Sequence, residues 1–281
     1  PMTPLTPINI RPIDLYDTTV ASVACPDLRL RLTNARNSIS SAYDDYIDKG
    51  LTFQLHTMQA CLRGKYNQTI MASLSKKDLN RLYSYEMLDK SKPARKIYDK
   101  IITCAPHGLC PICGIGDADT VDHFAAKAYY PTFAVLIFNL APACTSCNKN
   151  KSAPKINQDN QTLHPHFEPS LIHDETWLKA VVLETHPPTI SFFADPPSHW
   201  SQDLRERTLN HFQSFNLKRR YGIQAAAELT GIIKYLSIIR SELDKRNHLT
   251  LMAAVERSSR RNSWQAAMYE ALSTSTWVST H

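Results

Sequence analysis

Four cysteines fall in two close pairs, Cys110-x-x-Cys113 and Cys144-x-x-Cys147. Each pair sets two sulfurs on one tight turn. The pairs lie 34 residues apart, counted from Cys110 to Cys144, so the chain between them must fold back for the thiols to meet. A tetrahedral zinc site with Zn–S bonds of about 2.3 Å is the expected product, and four thiolates leave no open position on the ion, so its role is structural. The bland alternative is a redox pair or four unrelated thiols. Asp122, His123, Asn139 and Asn148 lie between or directly after the pairs. These are residue types that can hydrolyse a phosphodiester. A neutral imidazole near pH 7 can take a proton from water. A hard cation held by a carboxylate and an amide oxygen can neutralise charge on the phosphate and assist the leaving oxygen. Because Asp122 and His123 are adjacent, a strand would point them to opposite faces, so a local bend or bulge is expected where they meet one phosphate.

Each residue also has an ordinary reading. Asp122 alone would be a turn or cap residue, His123 a surface histidine and Asn139 a turn residue. Placed together inside the thiol clamp, they read as one site. Lys149 and Lys151 are expected to touch a phosphate backbone, although a solvated helix end accounts for them nearly as well. In Leu163-His164-Pro165-His166-Phe167 a metal role for His164 or His166 competes with a turn that packs Phe167 on the core, and the turn is expected. Cys25, Cys61 and Cys104 show no partner spacing and are expected to be small buried apolar residues.

The elements that must position the site read as strand, strand, helix. Thr120–His123 is β-like, Val135–Phe138 is a second short apolar run, and residues 145–151 can start a helix. With Asp-His on the first strand, Asn139-Leu140 ahead of the helix and Cys144-x-x-Cys147-Asn148 on it, residues 110–151 resemble an HNH nuclease of the ββα-metal fold. The resemblance implies that His123 is the general base and that Asp122 and Asn148 hold a catalytic Mg²⁺ or Mn²⁺. It also implies that Asn139 orients the base and braces its loop. Many members carry His at the last position, and Asn there favours a hard cation over zinc. The arrangement of a helical part before the central unit also resembles the HNH subunits of prokaryotic anti-phage systems such as Septu, which work beside an ATPase subunit. The expected partners are therefore nucleic acid, with DNA as the first expectation, and such an ATPase. The alternatives are an HNH-type RNase and a non-catalytic zinc-knuckle adaptor.

The rest of the chain frames this stretch. Residues 1–26 carry five prolines and no helical period, which predicts an extended arm. Leu28, Leu32, Ala35, Ile39, Tyr43 and Tyr46 recur at helical spacing, and the helix is expected to end near Lys49-Gly50 on a left-handed glycine cap. Residues 51–63 are helix-compatible. Ser75 and Asp78 form a capping box, and Pro93 opens a helix through Ile97 and Ile101. Trp177–Leu183 and Thr189–Phe193 predict a two-stranded element. Beyond it three helices are expected, marked by Leu204–Phe215, Leu229–Leu243 and Trp264–Leu272. The fold class is mainly α (α+β), in three regions: 1–103, 104–168 and 169–281.

The chain has 281 residues and a formal charge of +6, a mild basic excess that suits a polyanionic partner without requiring one. The clusters Lys218-Arg219-Arg220 and Arg257, Arg260, Arg261 read as solvated helix faces. No apolar run approaches the roughly 20 residues a membrane span needs. The proline-rich start lacks the apolar core of a secretory signal, so a cytoplasmic location is expected and disulfides are not.

Overall fold

Asp14 accepts the backbone N–H of Arg11 at 2.9 Å and opens the first helix, α1 (Asp14–Ala21), which buries Leu15, Tyr16, Thr19 and Val20. The expected arm is therefore shorter than residues 1–26: paired apolar positions one turn apart outweigh the flanking prolines. In this computed structural model, residues 2–6, 8–150, 155–185 and 187–277 are described. The chain divides into two compact units, Met2–Glu168 and Pro169–His281. Among the described residues it is mainly helical, with three small two-stranded sheets. Among the described residues no helix is long and apolar enough to cross a membrane.

In the first unit α2 (Pro26–Asn34) and α3 (Arg36–Leu51) replace the single expected helix, with the break at Ala35. Residues 51–63 form only a short turn of 3-10 helix at Leu55–Thr57. A hairpin follows, β1 (Thr69–Met71) with β2 (Leu74–Ser75). Ser75 then caps α4 (Lys76–Arg81) with the reciprocal Ser75–Asp78 box predicted from sequence. That helix runs into a π-helical turn, Leu82–Met87, and α5 (Arg95–Thr103) comes next. The core of this unit joins α1–α5 to Val121, Phe124, Tyr130, Phe133–Ile137, Leu140 and Phe167. Residues of both the N-terminal helical region and the central region thus build one core.

Gly50 corrects an expectation. It lies inside α3 rather than on a left-handed cap; the left-handed residue at this end is Phe53, with φ +60°. Glycine is needed because the Phe167 ring occupies the place of a side chain: an added Cβ would lie 2.2 Å from Phe167 Cε2. Phe167 is buried against Tyr46 and Phe138, so its ring has little room to yield. Gly50→Ala would gain about 1 kcal/mol of helix propensity, but overpacking of this severity costs more. The expected result is a net loss of about 1–2 kcal/mol in urea unfolding. An unchanged midpoint would show that the ring can move aside freely.

The sheet that carries the candidate site pairs β3 (Thr120–His123) with β4 (Leu140–Ala143), antiparallel, with Asp122 opposite Ala141 and His123 opposite Leu140. The second strand was expected at Val135–Phe138. Val135, Leu136 and Ile137 instead fill the core with Phe138 packed against it, and Ile137–Asn139 curls into a 3-10 turn. A short apolar run satisfies burial in either conformation, so pattern alone does not separate the two. Pro142 is tolerated in β4 because a two-stranded sheet leaves every second N–H without a ladder partner. The helix α6 (Thr145–Asn150) follows at once, with its first N–H and the Thr145 hydroxyl both donated to the Asp119 carboxylate at 2.9 Å.

The second unit starts with a short helix, α7 (Leu171–Asp174), and pairs β5 (Leu178–Leu183) with β6 (Thr189–Ala194), close to the predicted strands. Four helices follow rather than three: α8 (Gln202–Ser214), α9 (Leu217–Ile238), α10 (Glu242–Ser259) and α11 (Trp264–Thr274). The expected Leu229–Leu243 helix is cut at Ile239, because Ser241 accepts the Asp244 N–H and starts a new one. Lys218 and Arg219 are exposed on α9, whereas Arg257 is paired with Glu270.

Candidate functional site

The four clamp thiols come together. Cys110, Cys113, Cys144 and Cys147 are buried, and their sulfurs all lie within 4.8 Å of one another. Gly114, at φ +69°, turns the first knuckle back, and its N–H donates to the Cys110 carbonyl at 2.7 Å. The second pair sits on the first turn of α6, where the Cys147 N–H donates to Cys144 Sγ at 3.4 Å. Mutual hydrogen bonding splits the thiols. Cys113 is driven down by the Cys110 thiol and Cys144 down to about 6 by the same neighbour, while Cys110 and Cys147 are held well above the ordinary thiol range. Four thiolates this close repel one another unless a cation neutralises them, and soft sulfur donors suit zinc. The cluster can therefore hold one zinc ion.

Beside the clamp, strand alternation directs Thr120 and Asp122 to one face of β3 and Val121 and His123 to the other. Asn148 leans on the first face: its Nδ2 donates to Thr120 Oγ1 at 3.1 Å, which turns the amide oxygen away from that bond. Asp122 Oδ1 accepts the His123 backbone N–H at 2.8 Å, so the carboxylate is drawn toward the end of the strand. Strand alternation and the Asn148–Thr120 bond thus put Asp122 and Asn148 on the same face of the hairpin. Asp122 keeps 9% of its surface exposed.

His123 is the last residue of β3 and is 8% exposed. Its Nε2 lies 2.9 Å from the Ala134 carbonyl, which can only accept, so Nε2 carries a proton, and in the neutral form of the ring the lone pair is on Nδ1. Tyr83, from the π-helical turn, packs edge-on against the imidazole at 4.4 Å and donates its hydroxyl to the Val121 carbonyl at 3.1 Å. Burial raises the Tyr83 hydroxyl pKa well above its usual range, and the charge on Asp122 adds to that. Lys127 Nζ sits 4.8 Å from the other partner of this turn, the Tyr83 ring, and donates to Ser84 Oγ at 2.9 Å. Burial lowers the Lys127 pKa.

Asn139 is 1% exposed and uses all of its side-chain capacity. Oδ1 accepts from the Ala125 N–H at 2.7 Å and the Tyr46 hydroxyl at 2.9 Å, and Nδ2 donates to the Ala125 and Phe133 carbonyls at 3.0 and 2.9 Å. With no atom left for a substrate, it is a positioning residue. The loop it holds ends one residue before Ala134, the carbonyl that fixes the His123 tautomer. Asn139→Ala would leave the Ala125 N–H and carbonyl unpaired and take one of two partners from the Phe133 carbonyl and the Tyr46 hydroxyl, an expected loss on the order of 4 kcal/mol in urea unfolding. Asn139→Asp keeps the acceptor and should lose less.

The two remaining histidines are part of the scaffold. His164 Nδ1 accepts the His166 N–H at 3.1 Å, and its Nε2 donates to the Tyr46 hydroxyl at 3.2 Å, so both ring nitrogens are engaged. His166 Nε2 donates to the Leu140 carbonyl at 2.9 Å, and burial lowers its pKa. Phe167 joins the core, as the turn reading expects. Lys149 is exposed on α6; Lys151 lies outside the described residues. Cys25 is exposed, and Cys61 and Cys104 are half-buried, against the expectation that all three are buried. Cys25 stands just before the Pro26 that opens α2, at a surface helix end, where no core reaches it.

Tyr46, Tyr83 and Lys127 are the residues that the motif reading missed. The two tyrosines carry helical spacing, which reads as core. Only Lys127, a charge within the apolar run Phe124–Ala128, offered a local signal.

No family model matches this chain, and no solved structure does. It is similar to protein ea31 of Escherichia phage lambda, 28% identical over an alignment of 268 residues that covers 86% of this chain and 89% of that protein.

Proposed function

We propose that this protein is a metal-dependent endonuclease of the HNH type that hydrolyses nucleic-acid phosphodiesters, with DNA as the first substrate to test. The observation that carries the reading is the His123 Nε2–H bond to Ala134, which assigns the lone pair to Nδ1 and makes the ring a base of defined tautomer. In this reading His123 removes a proton from the attacking water. Asp122 and the Asn148 amide oxygen are the hard donors for Mg²⁺ or Mn²⁺, which would supply charge neutralisation at the phosphate and at the leaving 3′ oxygen. The four thiols hold structural zinc.

The adjacency of Asp122 and His123 becomes an asset at this point. In-line displacement at phosphorus places the attacking and leaving oxygens on opposite sides. A base on one face of a strand end and oxygen ligands for the metal on the other suit a phosphodiester that crosses the end of β3. No bulge is required, and the register of β3 against β4 is regular. The test is cleavage of supercoiled plasmid, linear duplex, single-stranded DNA and RNA with Mg²⁺ and with Mn²⁺, comparing wild type with Asn148→Ala and His123→Ala. Metal-dependent cutting that both variants lose is the expected result. No cutting of any substrate would overturn the reading in favour of a binding module.

A further inference from the structure

The π-helical turn Leu82–Met87 connects the candidate site to a cleft on its outer side. Successive residues face different ways: Tyr83 packs on His123, Ser84 holds Lys127, and Tyr85 is 63% exposed. Tyr85 and Ser84 line a cleft of about 600 Å³ with Tyr66, Arg31, Lys77 and Arg81. Tyr66, on the approach to β1, is also 63% exposed. Its carbonyl accepts the Lys77 N–H at 2.9 Å, which fixes the loop against α4. The Arg81 guanidinium lies over the Tyr85 ring, 5.2 Å from its centroid. The carboxylate lining the cleft, Asp78, is occupied by Arg31 and by its capping box, and Arg81 Nε lies 3.6 Å from the buried Glu86 carboxylate, so the cationic character of the wall rests mainly on Lys77.

Two exposed phenol rings line one cleft, with the Arg81 guanidinium over one of them and Lys77 in the same lining. A duplex hides its bases and offers little to such rings. A single strand offers a base face to each ring and a phosphate to each cation. We propose that this cleft binds single-stranded nucleic acid, with Tyr66 and Tyr85 as stacking platforms and Lys77 and Arg81 on the backbone, and that it delivers the strand past Ser84 and Lys127 to His123. The delivery clause rests on the nuclease reading; the binding clause does not.

The test is fluorescence anisotropy with labelled oligothymidylate, oligouridylate and a duplex of matched length, in buffer without added divalent cation so that nothing is cut. Single strands are expected to bind more tightly than duplex. Tyr66→Ala with Tyr85→Ala should weaken single-strand binding at least about tenfold, whereas the paired Phe substitutions should preserve it. Both tyrosines are surface residues, so the variants should fold, which circular dichroism checks. Lys77→Glu should reduce the dependence of binding on salt. The DNA and RNA arms separate the two sources of the same chemistry. Equal binding of duplex and single strands with no effect of the Tyr variants, or no oligonucleotide binding at all, would overturn the proposal. If wild type binds through the tyrosines but cuts nothing, the nuclease reading fails and the cleft stands. Cutting that depends on His123 but is indifferent to Tyr66 and Tyr85 overturns delivery through the cleft and leaves the nuclease reading standing.

Discussion

Replacing His123 by alanine is expected to reduce metal-dependent phosphodiester cleavage by roughly 10²–10⁴, the usual contribution of a positioned general base. The same change removes a buried ring. It leaves the Ala134 carbonyl without its donor and Tyr83 without its edge-on partner, an expected stability cost of about 1–3 kcal/mol. That cost is small against the stability of a typical domain, so the variant should remain folded at room temperature. The two effects separate by measurement. Unfolding midpoints report the packing loss, and rates taken well below the midpoint report the chemistry. His123→Asn sharpens the comparison, since it retains a donor of shorter reach but has no base. If either variant cuts at the wild-type rate while folded, His123 is not the base. Asn139→Asp probes the same assignment from a distance. If the bracing of Ala125 and Phe133 sets the tautomer through Ala134, the rate should fall even though no substrate-facing atom has changed.

How far the sequence discloses all this depends on whether a residue's role is local. The thiol clamp is legible because its spacing is its function, and the Ser75–Asp78 cap for the same reason. The first strand, the C-terminal hairpin and the mainly helical class follow from periodicity. The second strand does not. Val135–Phe138 is apolar enough to be a strand, yet Asn139 reaches back to Ala125 and Phe133 and curls the segment, a long-range bond that no local pattern announces. Gly50 is the clearest case. A glycine near a helix end reads as a cap, but its reason is the Phe167 ring, far away in sequence. Tyr46 and Tyr83 carry the same lesson for the site. Their spacing places them in the core, and they are there, but their hydroxyl and ring also hold Asn139 and His123. A residue can satisfy periodicity and position chemistry at once, and only the first leaves a trace in the pattern.

Stripping the metal from the thiol clamp is expected to abolish cleavage while leaving most of the helical signal intact. The reason lies in where the hydrophobic core stops. Its cluster runs through α1–α5 to Ile101, resumes at Val121, and breaks again between Leu140 and Ile156, so it includes no residue of the first knuckle or of α6. A six-residue helix is too short to persist alone, and a hairpin of four-residue strands is marginal. For the knuckle and α6 a zinc ion would therefore stand in for a core, and binding on the scale of 10 kcal/mol or more would make it sufficient. Elemental analysis should find one zinc per chain. Chelation, or Cys147→Ser, should raise hydrogen exchange in residues 106–120 and 141–150 before it touches α3 or α5, and zinc, but not Mg²⁺ alone, should restore both protection and activity. Asn148 follows directly on Cys147, so its amide oxygen goes wherever the clamp puts it. The tether to Thr120 is one hydrogen bond, too weak to hold the residue once α6 frays. A chain that carries no zinc yet shows full protection at α6 would refute the clamp, and with it the claim that the catalytic geometry is inherited from four sulfurs that touch no substrate.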